Sequence, residues 1–321
     1  MMMPPNFKPD FKPDFKPLIA KAHSHIAPYI RETPTITLAK GEFGIAAPLT
    51  LKLELLQHSG SFKARGAFSR ILQNPIPPAG VIAASGGNHG GAVAYAARQL
   101  QCPAEIFVPT ISSPTKVKRL ETYGAKVVVT GADYFEALEK SEERALETGG
   151  LVVHAFNQPE VIAGQGTLAL ELEKQAPDLD TVLVSVGGGG LIAGIAAWDQ
   201  KGVRVIGTEP VMAPSLHDSL AAGERVDVVV GGITSDALGC RRVGEMMFPI
   251  AQQFVEQVVL VEESAIAQAQ KLLWENLRIA AEPAGVVPLA ALLSGRYKPA
   301  PDERVGIIIC GGNADLSVLC A

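Results

Sequence analysis

Ser59-Gly60-Ser61-Phe62-Lys63-Ala64-Arg65-Gly66-Ala67 is the stretch on which the reading of this chain turns. Leu51, Leu53, Leu55 and Leu56 precede it. A Gly/Ser turn followed by small and apolar residues places Lys63 at the start of a helix, facing inward. An ammonium in dry surroundings has a lowered pKa, and the neutral amine can form a Schiff base with an aldehyde. For a lone lysine, a surface residue on a turn is the better reading. Four distant stretches bear on the choice.

Around this stretch, apolar runs alternate with helical patterns. Strands are expected at 49–54, 81–84, 104–108 and 126–129, with helices at 90–100, 114–123 and 134–148. A second set follows: 151–156 leading to a loop, helix 162–175, strand 181–186, helix 191–200 and strands 203–208 and 256–261. Helices 263–277 and 284–293 and a last strand, 305–310, complete it. Such alternation means βαβ units, parallel sheets and the α/β class. Two units are expected: a small one at 53–149, and a large one made of 18–52 and 150–321. Residues 1–17 are expected to be a flexible arm ahead of a helix at 18–30. In that arm Phe7-Lys8-Pro9-Asp10 recurs as Phe11-Lys12-Pro13-Asp14 and begins again at Phe15. Proline every four residues forbids a regular helix there. A disordered tail or an arm docking its phenylalanines on a partner would both fit.

The chain has 321 residues, 47% of them apolar, with 32 glycines, which is room for two cores. A net charge of -5 leaves no footprint for nucleic acid, and no basic run suggests an anionic membrane. No apolar run is long enough to span a bilayer. Cys102, Cys240, Cys310 and Cys320 form no C-x-x-C pair, which suits a reducing cytoplasm. The first residues resemble neither a signal peptide nor a transit sequence.

Gly187-Gly188-Gly189-Gly190-Leu191 follows an expected strand and opens a helix. Absent side chains let backbone N–H groups approach an anion, and the helix end adds partial positive charge. Four consecutive glycines cost too much entropy for tight packing alone, so a phosphate cup is expected. Ser85-Gly86-Gly87-Asn88-His89-Gly90 also lies between strand and helix. Its N–H groups could hold a carboxylate. Asn88 is either a turn residue or a ligand to a cofactor oxygen, and His89 reads as a structural donor. In Cys310-Gly311-Gly312-Asn313 the thiol is either a weak donor to a ring nitrogen or a buried structural cysteine. In Glu282-Pro283 the carboxylate either caps a helix or lies near a cofactor ring.

Together these stretches resemble the fold type II pyridoxal-phosphate enzymes, in the branch of serine/threonine dehydratases and serine racemases. The motifs are 61–67, 85–90, Ile162-Ala163-Gly164-Gln165-Gly166-Thr167, 187–191, Glu282-Pro283 and 310–313, in family order from about 19 to 316. The resemblance implies a two-domain, tryptophan synthase β-like α/β fold with parallel-rich sheets flanked by helices. It implies pyridoxal 5'-phosphate as a Schiff base on Lys63, over Phe62, with Asn88 at the ring hydroxyl. The phosphate would sit on Gly187, Gly188, Gly189, Gly190 and Leu191, Cys310 beside the ring nitrogen, and Glu282 near the ring. A small amino-acid substrate would meet Ser85, Gly86, Gly87, Asn88, His89 and Asn157, the last on the bordering stretch Val153-His154-Ala155-Phe156-Asn157-Gln158-Pro159. The implied reaction is α,β-elimination: Lys63 takes the Cα proton, the β-hydroxyl leaves as water with the cofactor phosphate as acid, and a 2-oxo acid and ammonia result. A homodimer is also implied.

The chain departs from that pattern in places. Racemases of the branch carry a second serine where Gly86 stands, so little or no racemisation is expected. Relatives hold a cation through Glu-Pro-x-x-Ala-x-Asp; here Glu209-Pro210-Val211-Met212-Ala213-Pro214-Ser215 lacks the aspartate. A cation at Glu209 and Ala213 stays open beside a merely hydrogen-bonded Glu209. Ala237 replaces a glycine near the ring, and the 153–159 loop varies with substrate. Threonine and serine are the default substrates; a phenylserine or 3-hydroxyaspartate type is the alternative. His89 after Asn88 disfavours β-replacement, Lys63 beside the cup disfavours a non-catalytic sensor, and 187–190 is not G-x-G-x-x-G. No C-terminal regulatory domain is expected.

Overall fold

A computed structural model describes residues 14–200 and 202–316. Among the described residues, ten strands form two sheets. They are β1 (Thr35–Leu38), β2 (Leu49–Lys52), β3 (Val81–Ala84), β4 (Ala104–Val108), β5 (Lys126–Val129), β6 (Leu151–Val152), β7 (Thr181–Ser185), β8 (Arg204–Pro210), β9 (Val255–Val261) and β10 (Val305–Ile308). The six-stranded sheet runs β1-β2-β10-β7-β8-β9 and the four-stranded sheet β5-β4-β3-β6. All pairs are parallel except β1 with β2. Strands β3, β7 and β10 are buried on both faces, which explains their unbroken apolar runs.

The strand order decides where a ligand can sit. From β3 the chain steps outward to β4 and β5, then returns to place β6 on the other side of β3. From β7 it steps to β8 and β9, then returns to place β10 on the other side of β7. Each reversal opens a crevice beyond the carboxyl ends of the strands, where α/β sheets bind ligands. The loops at 85–89 and 153–157 leave one crevice; 186–190 and 309–313 leave the other.

Three expectations need correction. The helix Phe15–Ile26 starts inside the expected arm: Asp14 caps it through Lys16 N–H at 3.2 Å, and Phe15 is 1% exposed in the core. Pro17 is tolerated because it falls in the first turn, where N–H groups lack helical partners anyway. Phe7 and Phe11 lie outside the described residues. Second, 151–156 is not only a lead into a loop. Leu151 and Val152 pair with β3, so the four-stranded sheet runs past residue 149; two residues are too few to show a period. Third, the expected set of elements lacks β1 and the helices Ser215–Ala222 and Phe248–Phe254. All three are eight residues or fewer.

Candidate active site

Lys63 opens the helix Lys63–Leu72, as its sequence context implies. The preceding turn bends through Ser59 and Gly60 at φ 58° and 76°. A Cβ at Gly60 would strike the Asn313 side chain, so glycine is required for both conformation and space. Ser61 then bridges to Gly311, and Phe62 N–H donates to Cys310 O at 3.1 Å. Lys63 and Cys310, 247 residues apart in sequence, are joined through this contact.

One cavity of about 810 Å³ is lined by Phe62, Lys63, Ser85, Gly86, Gly87, Asn88, His89, Asn157, Gly187, Gly188, Gly189, Gly190, Leu191, Glu282 and Cys310. The structure therefore brings together every residue expected at the cofactor and substrate. Lys63 Nζ donates to Ala155 O at 2.9 Å and lies 5.0 Å from the Phe62 ring centroid. Burial pushes its pKa down to about 8, against the opposing pull of Cys310, Cys240 and Glu282.

The glycine run faces the cavity with its donors. Its carbonyls are tied back: Gly187 O accepts from Ser215 Oγ, Gly188 O from Gly244 N–H and Gly189 O from Ala193 N–H. Among the described residues, the N–H groups of 187–191 donate to nothing. Gly189 sits at φ 86° just before the helix Gly190–Asp199. A Cβ on Gly188 would run into the Phe156 ring. Free amide donors at a helix start, with no room for side chains, suit a phosphate dianion.

Asn88 lies between two partners. Its Nδ2 donates to Glu282 Oε1 and its Oδ1 accepts from Asn313 Nδ2, both at 2.6 Å. Burial pushes Glu282 up to about 7. Burial, with Glu282 nearby, raises the Cys310 thiol, so it stays protonated. This end of the cavity offers neutral or weakly charged groups to a ring. His89 Nε2 donates to Val153 O at 2.8 Å and burial holds its pKa down at about 3, which makes it a strut to the 153–157 turn. Asn157 Oδ1 accepts from Met246 N–H at 3.0 Å, pinning the neighbouring segment. Ala237 lies on the cavity wall within the short helix Ser235–Leu238.

Glu209 accepts from the N–H groups of Leu216 and His217, both at 2.8 Å, and from Ser215 Oγ at 3.1 Å. It anchors the start of the helix Ser215–Ala222, and burial lifts its pKa to about 7. Among the described residues, no cluster of three metal-ligating side chains occurs. The serine that replaces the expected aspartate is itself one of the donors to Glu209.

Two groups carry functional weight that their residue types alone do not announce. One is the buried set Arg65, Glu54, Glu171, Lys52 and Thr33 behind the Lys63 helix. Arg65 forks to Glu54 at 2.7 and 2.8 Å and reaches Glu171 at 2.8 Å. Lys52 pairs with the other Glu171 oxygen and donates to Thr33 O at 2.7 Å. The other is His154 on the cavity wall. No local pattern marks either.

A phosphorylated aromatic aldehyde fits this site. Its phosphate would be held by 187–191, its aldehyde by Lys63, its ring by Phe62 and Asn88 and its ring nitrogen by Cys310. The family profile described as pyridoxal-phosphate dependent enzyme matches residues 26–311. The chain is 40% identical over 307 residues to an L-threonine ammonia-lyase of Geobacter sulfurreducens, covering 94% of this chain and 76% of that protein. It is 36% identical over 310 residues to a serine racemase of Arabidopsis thaliana, covering 94% and 93%. Among solved structures, maize serine racemase superposes with a TM-score of 0.89 at 33% identity, covering 95% of each chain.

Proposed function

Because this chain belongs to the pyridoxal-phosphate dependent enzymes, we propose that it is a lyase converting a 3-hydroxy amino acid, threonine or serine by default, to a 2-oxo acid and ammonia. The observation that carries this is the cavity shared by an amine lowered to about 8 and a run of five unbonded amide donors. Bound pyridoxal phosphate supplies carbanion stabilisation; the chain supplies geometry and proton handling.

The substrate carboxylate lies on the N–H groups of Gly86, Asn88 and His89, at the start of the helix Asn88–Gln99, while Ser85 N–H is held by Phe107 O and Gly87 N–H by Ser85 Oγ. Lys63 Nζ, whose lowered pKa gives it a larger neutral fraction near pH 7 than an ordinary lysine has, takes the Cα proton. The Cys310 thiol keeps its proton and places no fixed anion beside the ring. An ordinary lysine amine is charged below about 10.4 and would be a poor base at neutral pH. The rate should therefore climb through about pH 8 and level off above it, as a pH profile of kcat would record. A limb centred near the ordinary lysine value would contradict this assignment. The test of the reading itself is a panel of 3-hydroxy amino acids assayed for 2-oxo acid and ammonia. No product from threonine, serine or their bulkier and acidic analogues would overturn it.

A homodimer in a reducing cytoplasm belongs to the proposal, and light scattering at twice the chain mass would support its assembly. No helix among the described residues is long and apolar enough to cross a membrane. Cys102, Cys240 and Cys310 are free thiols.

Racemisation is a second reading, favoured by one contact. A Cβ built on Gly86 would lie 3.1 Å from Ser112 Oγ, so a hydroxyl from the next loop reaches the place of the missing serine. Elimination should still outrun racemisation, because this hydroxyl comes from a different loop. Chiral analysis of serine after long incubation is expected to show at most traces of the D-form, lost in Ser112→Ala. Efficient D-serine formation would favour the racemase reading.

A further inference from the structure

The tautomer of His154 is set by its own turn. Its Nδ1 accepts from Phe156 N–H at 3.3 Å and from Asn157 N–H at 3.1 Å. The ring proton therefore belongs on Nε2. With Nδ1 turned to its own loop, Nε2 has no partner among the described residues and keeps some exposure, on a side chain that lines the cavity. Burial and the nearby Lys63 charge hold the ring's pKa down at about 4. His154 is thus a fixed neutral N–H donor and carries no proton to give away.

The place of this donor is informative. Ala155 O, one residue on, accepts from Lys63 Nζ. The amine and the imidazole therefore stand at the same turn. With its Cα proton facing Lys63 and its carboxylate on the N–H groups of Gly86, Asn88 and His89, a substrate would have its side chain on the side of that turn. Phe156 offers it only carbon, and Asn157 has committed its oxygen to Met246.

We propose that His154 Nε2–H hydrogen-bonds the oxygen leaving Cβ, and so selects substrates that carry a β-oxygen. This deepens, and rests on, the lyase reading above. The step balances within the chain and substrate. The Cα–H pair becomes the Cα=Cβ bond, and the Cβ–O bond breaks with its pair on oxygen. The proton taken by Lys63 passes to that oxygen, which departs as water. His154 stabilises the developing negative charge on oxygen, as a preorganised donor does elsewhere.

The test compares two leaving groups in the holoenzyme. L-Serine loses an oxygen that needs a donor; β-chloro-L-alanine loses chloride, which does not. His154→Ala should cut elimination from serine and threonine on the order of 100-fold, the usual cost of one such donor. It should leave β-chloroalanine elimination within a few-fold, and His154→Gln should recover part of the loss through its amide N–H. Unchanged visible absorbance and melting temperature would show that the variants fold and load cofactor. Nitrogen-15 NMR of the wild-type histidines should show one ring protonated on Nε2 alone and missing from His154→Ala. Equal losses on both substrates, or no loss on serine, would overturn the inference. Wild-type protein inert toward both amino acids would overturn the lyase reading, and this inference with it.

Discussion

Replacing Lys63 with alanine is expected to abolish turnover, with a loss of at least roughly 10⁴-fold. That is the upper end of what one positioned acid–base group supplies, and the change also removes the covalent anchor. The amine is the proton acceptor that the site holds against Ala155 O, at a pKa of about 8. His89 and His154 cannot stand in for it: burial lowers their pKa values to about 3 and 4, too weakly basic to hold the proton, and His89 is bonded to Val153 O. Lys63→Arg should be equally inactive, because a guanidinium neither forms the imine nor releases a proton. The measurement is release of 2-oxo acid from threonine or serine, with the melting temperature confirming the fold. Activity within tenfold of wild type in either variant would remove Lys63 from the mechanism.

The second large effect concerns stability. Arg65→Ala should destabilise the protein by about 3–5 kcal/mol, the cost of leaving buried charges unpaired. Arg65 and Lys52 are fully buried opposite Glu54 and Glu171, so the cluster is neutral as a whole. Burial alone would raise the Glu54 carboxyl, but the Arg65 charge and its two hydrogen bonds outweigh that and hold it below the usual range. Without Arg65 both carboxylates face one another with Lys52 alone. At a few degrees per kcal/mol, the melting temperature should fall by roughly 10 °C. Arg65→Lys should recover only part, since an ammonium cannot fork to Glu54 and reach Glu171 and Thr167 together. A shift of under about 2 °C in Arg65→Ala would show that the cluster adds little.

What could be read ahead of the structure was local. Lys63 after a Gly/Ser turn, four glycines after an apolar strand and a cysteine ending the last strand each carry their meaning in neighbouring residues. Their meeting in one cavity follows from strand order, which the family resemblance supplied and periodicity did not. Arg65 stood in plain view within the first motif, yet its partners are spread from Thr33 to Glu171. Charged residues read one at a time suggest solvent, and only packing shows that these four neutralise each other. His154 was quoted as part of a loop; its use depends on which ring nitrogen the turn captures, and composition does not carry that. At Glu209 the family pattern raised a cation beside a hydrogen-bonded carboxylate; packing adds the partners of the carboxylate, the Ser215 hydroxyl and the N–H groups of Leu216 and His217.

The central claim is a single imine at a single amine. Purified protein mixed with pyridoxal phosphate, reduced with borohydride and digested should yield one modified peptide, carrying the adduct on Lys63. The yellow absorbance should vanish on reduction and never form in Lys63→Ala. An adduct on another lysine, or none in protein that is folded and cofactor-saturated, would contradict the account.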